Sequence, residues 1–307
     1  MLILLLCLIT CVILAGSYYA YRIAFYSSKK NRDQVIKPKD PQYDPYREEM
    51  RRIFHQLNDR PCEFVSIMSN DGLTLSCRYY HIKDGAPLDI GFHGYRSHPI
   101  TDFSGGTELS FQMEHNVLLI DERAHGRSEG STIAFGILER QDLLDWVHYA
   151  IDRFGKEVRI LLYGVSMGGA TVLMASDMDL PENVRGIIAD CPYAKPLDVI
   201  EYVGKQTSFP SWLIKPFAIL AARIYGGFDL LETDAVRAAA NAKVPILIIH
   251  GEDDRYVPCY MSESVEKANP EKVRRFTFPG AAHGISYLTD TARYHRIVRE
   301  FVHQVLS

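Results

Sequence analysis

Hydrophobic and polar positions along the chain fall into three regimes. Met1 to Tyr21 carries no charged side chain, and about twenty such residues in a helix cover the hydrocarbon thickness of a bilayer. The pattern predicts a transmembrane anchor over 1–26. Tyr18, Tyr19, Tyr21, Phe25 and Tyr26 stand where an interfacial aromatic belt would sit, followed by the cations Arg22, Lys29, Lys30 and Arg32. From 27 to 61 the chain is polar, broken by Pro38, Pro41 and Pro45, and then charged from Tyr46 to Leu57, which predicts a linker and a lead-in helix. From Cys62 the rhythm changes. Two alternating segments, 63–68 and 73–80, flank Asn70-Asp71-Gly72 and predict a hairpin. Strand-like runs near 88–93, 116–121, 158–163, 184–190, 244–250 and 273–278 then alternate with helical ones. This predicts an α/β domain over 62–307, a mostly parallel sheet with helices on both faces.

One interval breaks the alternation. About fifty residues separate the strands ending near Asp190 and starting near Val244, more than one crossover needs. They include Trp212, Leu213, Ile214, Phe217, Ile219 and Leu220 between prolines 210 and 216. The pattern predicts a helical insertion over about 193–240, a lid over a substrate pocket or else an extra core helix.

Chemistry centres on Tyr163-Gly164-Val165-Ser166-Met167-Gly168-Gly169, between the apolar run 158–162 and the helix-suited Ala170–Ala175. A serine between glycines at a strand-to-helix junction is the nucleophile-elbow pattern, in which the sharp turn leaves no room for flanking side chains. A glycine-rich turn has the same signature when taken alone; the strand-turn-helix setting supports the catalytic reading. A serine hydroxyl needs a base, and the base needs a group to hold its tautomer. Later strand ends supply His250-Gly251-Glu252-Asp253-Asp254 and His283-Gly284. A lone histidine is more often structural than catalytic; His283 is singled out by its place after the last strand and before a glycine. His93 and His250 are expected to shape loops, His125 and Arg123 to order the loop they share, and Asp121 to pair with Arg127.

Composition narrows the field. A chain of 307 residues, 47% hydrophobic, can bury a full core as one large domain. The net charge of -4 and the lack of a basic stripe with interleaved aromatics carry no signal for nucleic acid. Six cysteines show neither metal-site spacing nor a small-domain disulfide framework. No H-E-x-x-H, P-loop or dinucleotide fingerprint is present, so no metal or organic cofactor is called for. A cleaved signal peptide is the rival to the anchor, but no Lys or Arg precedes the apolar run and no clear A-x-A site follows it. The positive charge after the helix places the catalytic portion on the cytoplasmic side, the alternative being a secreted or extracellular face.

From about residue 62 to 307 the chain resembles the α/β-hydrolase superfamily, and within it the bacterial membrane-anchored, esterase-like serine hydrolases. The motifs carrying the resemblance are His93-Gly94-Tyr95, Asp121 to Ser128, the elbow, His250-Gly251-x-x-Asp254-x-x-Val257-Pro258 and His283-Gly284. The chain order Ser, Asp, His belongs to that architecture. The resemblance implies Ser166 as nucleophile, His283 as base and, from the spacing to Val257-Pro258, Asp254 rather than Asp253 as the acid. It also implies an oxyanion hole from the backbone N–H groups of Tyr95 and Met167. The expected activity is hydrolysis of acyl or lipid-like carboxylic esters through an acyl-enzyme. A peptidase or acyltransferase using the same triad, or a catalytically silent membrane-tethered binding module, are the alternatives.

Overall fold

The structure, a computed structural model, describes residues 1–29, 40–207 and 209–307. Lys30, Arg32 and Pro38, assigned above to the anchor's flank and the linker, lie outside the described residues. The chain opens with α1 (Leu2–Ala24), a short 3₁₀ helix (Pro41–Tyr46) and α2 (Arg47–Asn58). β1 (Glu63–Met68) and β2 (Thr74–Tyr80) form the hairpin about Gly72, whose φ of 87° needs a residue without Cβ. There follow β3 (Leu88–Phe92), α3 (Pro99–Gln112), β4 (Asn116–Asp121), α4 (Glu139–Phe154), β5 (Ile160–Val165), α5 (Met167–Met174) and β6 (Val184–Asp190). The interval predicted as an insertion holds α6 (Pro196–Gly204), α7 (Ser211–Ala221), a π-helical turn (Ala222–Gly226) and α8 (Ala235–Ala240). β7 (Ile246–Gly251), α9 (Tyr260–Ala268), β8 (Val273–Phe278), α10 (Ser286–Thr289) and α11 (Thr291–Leu306) complete the chain.

The eight strands form one sheet in the order β1-β2-β4-β3-β5-β6-β7-β8. β1 and β2 run antiparallel, and β4 through β8 are paired in parallel. The central strands read as unbroken apolar runs because both of their faces are covered. Ile160, Leu162, Ile246 and Ile248 join the core beneath α4, α5, α8 and α9. Their neighbours Leu161, Tyr163, Leu247 and Ile249 point the other way, into the core beneath α3 and α11. Because these strands run parallel, the carboxyl ends of β3, β5, β6, β7 and β8 lie along one edge of the sheet, and Tyr95, Ser166, Met167, Asp254 and His283 all lie just past one of them.

The end of α1 belongs to the folded body. Phe25 is fully buried, its ring 5.6 Å from Phe135 and 5.5 Å from Phe228. The Tyr21 hydroxyl is 2.8 Å from Thr132 Oγ1, and the Ile133 amide donates to the Phe25 carbonyl at 2.7 Å. From Met1 to Leu14, by contrast, the helix is exposed.

The expected Asp121–Arg127 pair is not formed. Asp121 instead accepts from the guanidinium of Arg78 at 2.9 Å, because β2 lies beside β4 and brings that cation to the strand end. Arg127 contributes its backbone amide, 3.1 Å from Asp121 Oδ2, and lays its guanidinium 3.6 Å from the centre of the Phe64 ring. Arg123 is buried against Asp142, with Nε donating at 2.6 Å, and also reaches Asp71, so it orders its loop.

Candidate active site

Ser166 joins β5 to α5 with φ 56° and ψ −111°, a conformation that costs a non-glycine residue on the order of 1–3 kcal/mol. The neighbouring glycines show why the turn can close. A Cβ on Gly164 would overlap the Gly168 carbonyl, and one on Gly168 would overlap the Phe92 carbonyl oxygen across the sheet. The Ser166 amide donates to the Asp190 carbonyl at 2.8 Å, which ties the elbow to the end of β6.

Asp254 sits in the turn after β7. Its Oδ1 accepts from the amides of Tyr256 and Val257 at 2.9 and 2.8 Å, and its Oδ2 lies 2.6 Å from His283 Nδ1 and 3.2 Å from His250 Nε2. Burial alone would raise this carboxyl's pKa. The charge on His283 and hydrogen bonds from His250 and His283 outweigh burial and hold the pKa well below the usual carboxylate range. Asp254 is therefore a carboxylate, and Nδ1 of His283 donates to it, leaving Nε2 as the basic nitrogen. Burial pulls the His283 pKa down, but Asp254, with smaller contributions from Asp102 and Asp190, raises it above its ordinary value overall. His250 Nε2 faces two acceptors, Asp254 Oδ2 and the Val257 carbonyl at 2.9 Å, so that nitrogen carries its proton. Asp253, whose amide donates to the Ala281 carbonyl at 3.0 Å, has no contact with His283 among the described residues.

Among the described residues the Ser166 hydroxyl forms no hydrogen bond to His283. Nε2 faces Cys191 Sγ at 3.9 Å, and Cys191 directly follows the residue that accepts from the Ser166 amide. His283 and Ser166 thus flank the same two residues, and hydrogen bonds between catalytic groups commonly tighten only when substrate is bound. Cys191 Sγ, an Asp254 oxygen and a His283 nitrogen lie within 4.8 Å of one another, close enough to hold a metal ion. The donor set fits one poorly. Both Asp254 oxygens are engaged by amides and imidazoles, and burial lifts the Cys191 thiol well above its ordinary pKa and keeps it protonated.

The candidate oxyanion donors follow β3 and β5. Met167 is the first residue of α5, where amides have no partner within the helix. No acceptor among the described residues takes up the amide of Tyr95 or of Met167. The Tyr95 loop is held by Asp102, on the first turn of α3, which accepts from the Gly94 amide and from Ser97 Oγ, both at 2.6 Å. His93 locks the same loop from below. Its Nδ1 donates to the Gly94 carbonyl at 2.8 Å and its Nε2 accepts from the Glu122 amide at 3.2 Å, a neutral tautomer matched by a pKa that burial lowers. His125 Nε2 accepts from the Arg96 amide at 2.9 Å. The loop-shaping roles expected of His93 and His125 are seen. His250 does more than shape a loop, because it touches Asp254 itself.

Several residues at the site carry no motif. Tyr43, in the 3₁₀ helix, is buried and donates to the His283 carbonyl at 3.1 Å. Tyr256 stands with its ring centre 5.6 Å from that of His283 and donates to Asp40 at 2.8 Å. The segment before α2, read from the sequence as a linker, therefore lies against His283. A cavity of about 440 Å³ abuts the site, walled by Asp102, Val165, Asp190 and Gly284 and roofed by Ile53 and Phe54 of α2. Its lining takes nothing from 193–240. In the sequence this cavity is hinted at by Met50, Ile53, Phe54 and Leu57, apolar residues three and four apart on a helix otherwise charged or polar, of which Ile53 and Leu57 are buried.

A model of the family described as alpha/beta hydrolase fold matches residues 106–214. The "Uncharacterized protein YqkD" of Bacillus subtilis is 26% identical over 301 residues, 96% of this chain and 94% of its own. The "Uncharacterized membrane protein YNL320W" of Saccharomyces cerevisiae is 26% identical over 192 residues, 62% of each chain. Among solved structures, the esterase Pf2001 of Pyrococcus furiosus superimposes with a TM-score of 0.67 at 23% identity, over 82% of this chain and 96% of the esterase. The parallel sheet order, the strained serine turn and these likenesses agree: the chain has the α/β-hydrolase fold, and its residues 106–214 match that family's model.

Proposed function

We propose that this protein is a serine hydrolase that cleaves carboxylic esters of acyl or lipid-like compounds. The observation that carries the reading is the 2.6 Å contact between Asp254 Oδ2 and His283 Nδ1, made by a carboxylate whose other oxygen is fixed by two amides. That contact orients Nε2 as a base beside a serine held in a strained elbow. His283 Nε2 takes the Ser166 proton as Oγ attacks the ester carbonyl. The Met167 and Tyr95 amides receive the oxyanion, and the imidazolium returns its proton to the leaving alcohol. Water, activated by the same nitrogen, then releases the acid and frees Ser166. The cavity beneath α2 falls within the size range of small-molecule sites and serves in this reading as the acyl pocket.

We also propose that α1 is a retained anchor rather than a cleaved signal. Removing it would take Phe25 and Tyr21 out of the core, and would strip Tyr95 and Arg96 of their partners. The Tyr95 hydroxyl donates to the Ala24 carbonyl at 2.8 Å, and Arg96 to those of Ile23 and Tyr26 at 2.7 and 3.0 Å. The yeast relative's description as a membrane protein supports this reading. Intact mass of protein extracted from membranes should include residues 1–26; a mature chain starting beyond Tyr26 would refute retention. Arg22 and Lys29 on the catalytic side favour a cytoplasmic domain. Protease added to sealed inside-out vesicles should digest it, and protection there would overturn that orientation.

The decisive test of activity is labelling by a fluorophosphonate probe together with turnover of nitrophenyl esters of graded acyl length. Ser166→Ala should lose the label and on the order of 10⁴-fold or more of turnover. Undiminished labelling of that variant would overturn the assignment.

A further inference from the structure

Helix α7 lies along α1. A Cβ on Gly16 would run into the ring of Phe217, so the absence of a side chain at Gly16 is what lets the two helices approach. Beyond the end of α7, the Tyr225 ring centre is 5.2 Å from Tyr18 and 6.0 Å from Tyr21, and Phe228 packs on Phe25. Phe217 of α7 meets Gly16, Tyr225 in the turn after α7 reaches the Leu14 carbonyl and the rings of Tyr18 and Tyr21, and Phe228 meets Phe25, so the segment from α7 to Phe228 runs on the whole in the same direction as α1. The start of α7 therefore points the same way as the start of α1, away from the body of the protein.

That start is apolar and uncovered. Trp212 is 74% exposed and Phe209 40%, with Val203 at the end of α6 exposed to a similar degree. The helix carries one charged side chain, Lys215, and it is turned back onto α6, where it pairs with Glu201 at 2.9 Å and Asp198 at 3.3 Å. A single exposed aromatic is ordinary, but here Trp212 and Phe209 add to the apolar surface of α1, where Met1 to Leu14 are exposed, and it is contiguous apolar surface that marks a binding or membrane face. Tryptophan is also the side chain most at home at the boundary between headgroups and acyl chains.

We propose that the tip of α7, with Phe209 and Trp212, enters the interfacial layer of the lipid bilayer beside α1, making a second membrane contact that is only partly inserted. The partner is the acyl-chain boundary of the leaflet from which α1 emerges. The proposal rests on the reading of α1 as a retained anchor. The two contacts fix the catalytic body against the membrane through Tyr95, whose amide is the proposed oxyanion donor and whose hydroxyl is bound to the end of α1. Ester substrates residing in that leaflet would be presented to the site without first crossing water.

The chain contains two tryptophans, and Trp146 is fully buried, so any quenching by lipid reports Trp212. The full chain is reconstituted into phosphatidylcholine vesicles whose acyl chains carry bromine either near the headgroup or near the chain end. Flotation on a density gradient reads the anchor, and fluorescence reads the tip. We expect roughly half or more of the Trp212 emission to be lost with bromine near the headgroup, less with bromine near the chain end, as for a helix lying ~5–10 Å into the interface. Trp212→Phe should abolish the lipid quenching and leave the Trp146 emission. Protein that floats but is quenched by aqueous iodide and not by brominated lipid would overturn the proposal while leaving the anchor standing. A Trp212 shielded from both quenchers would also overturn it, pointing to a protein partner on this face. Failure to float would remove the anchor and this inference together.

Discussion

Two buried aspartates at the ends of adjacent parallel strands behave in opposite ways. Asp254, after β7, accepts from two amides and lies against two imidazoles, and its carboxyl is held far below the ordinary range. Asp190, at the end of β6, has Tyr294 donating to Oδ2 at 3.2 Å, while its Oδ1 is buried with no partner. Burial dominates there and pushes its pKa up to about 6. Similar exclusion from water thus leaves one carboxyl ionised far into the acid range and brings the other's pKa up towards neutrality. The difference is the number of donors aimed at the oxygens, which decides whether a carboxylate is tolerated inside a protein. Only the first can hold an imidazolium in place.

The sharpest way to break this contrast is to remove each charge in turn. Asp254→Asn should lower ester turnover on the order of 10⁴-fold by presenting the wrong hydrogen-bonding partner to Nδ1. Asp253→Asn and Asp190→Asn should each stay within about tenfold of the parent. Comparable collapse in Asp190→Asn would mean that the β6 end takes part in the chemistry. The same variants sharpen the contrast through pH. His283 must be neutral to act as base, and its pKa is raised, so the acid limb of kcat/KM should lie above the ordinary histidine value of about 6.5. In the residual activity of Asp254→Asn that limb should move to lower pH, whereas Asp190→Asn should shift it only slightly. A limb unmoved by loss of Asp254 would show that another group sets it.

Stability should separate the two aspartates as well. Asp190 titrates near 6 in the fold and near 3.9 unfolded. The native state therefore holds the extra proton between those values. The stability contributed by this group is fully present below about pH 3.9 and is lost as pH rises through about 6. Asp190→Asn should remove that loss and stabilise the protein at neutral pH by ~1–3 kcal/mol, read from denaturant unfolding at pH 4 and pH 8. An equal effect at both pH values would contradict the assignment. The smallest effect expected is that of Tyr43→Phe, which removes the hydroxyl held by the His283 carbonyl. It should cost about 1 kcal/mol of stability and only a few-fold in kcat, with KM for long-chain esters nearly unchanged. A loss as large as that of Asp254→Asn would promote Tyr43 to a direct part in the reaction.

Much of this was readable from residue order. The six strand positions agree with the structure to within about two residues, because parallel strands covered on both faces must be apolar throughout. The serine turn was readable because its geometry admits only glycine at two flanking positions. The choice of Asp254 over Asp253 came from a spacing that places two amides and an imidazole on one carboxylate. What escaped were contacts between segments far apart in sequence. Nothing in Pro41–Tyr46 announces that Tyr43 will meet His283, some 240 positions away. The Asp121 pairing was misread because Arg127 is close in sequence while Arg78 is close only once β2 and β4 pair.

The sequence by itself determined the order of elements, the apolar helix at the start, the elbow, and the types of group at each strand end, because these are properties of local pattern and backbone sterics. The tertiary structure alone decided which aspartate's pKa falls and which rises, that the lead-in helix roofs a cavity, and that α7 shares a seam with α1. Ionisation, enclosure and helix pairing depend on the summed field and shape of groups brought together from distant parts of the chain, and no local window of residues contains that sum.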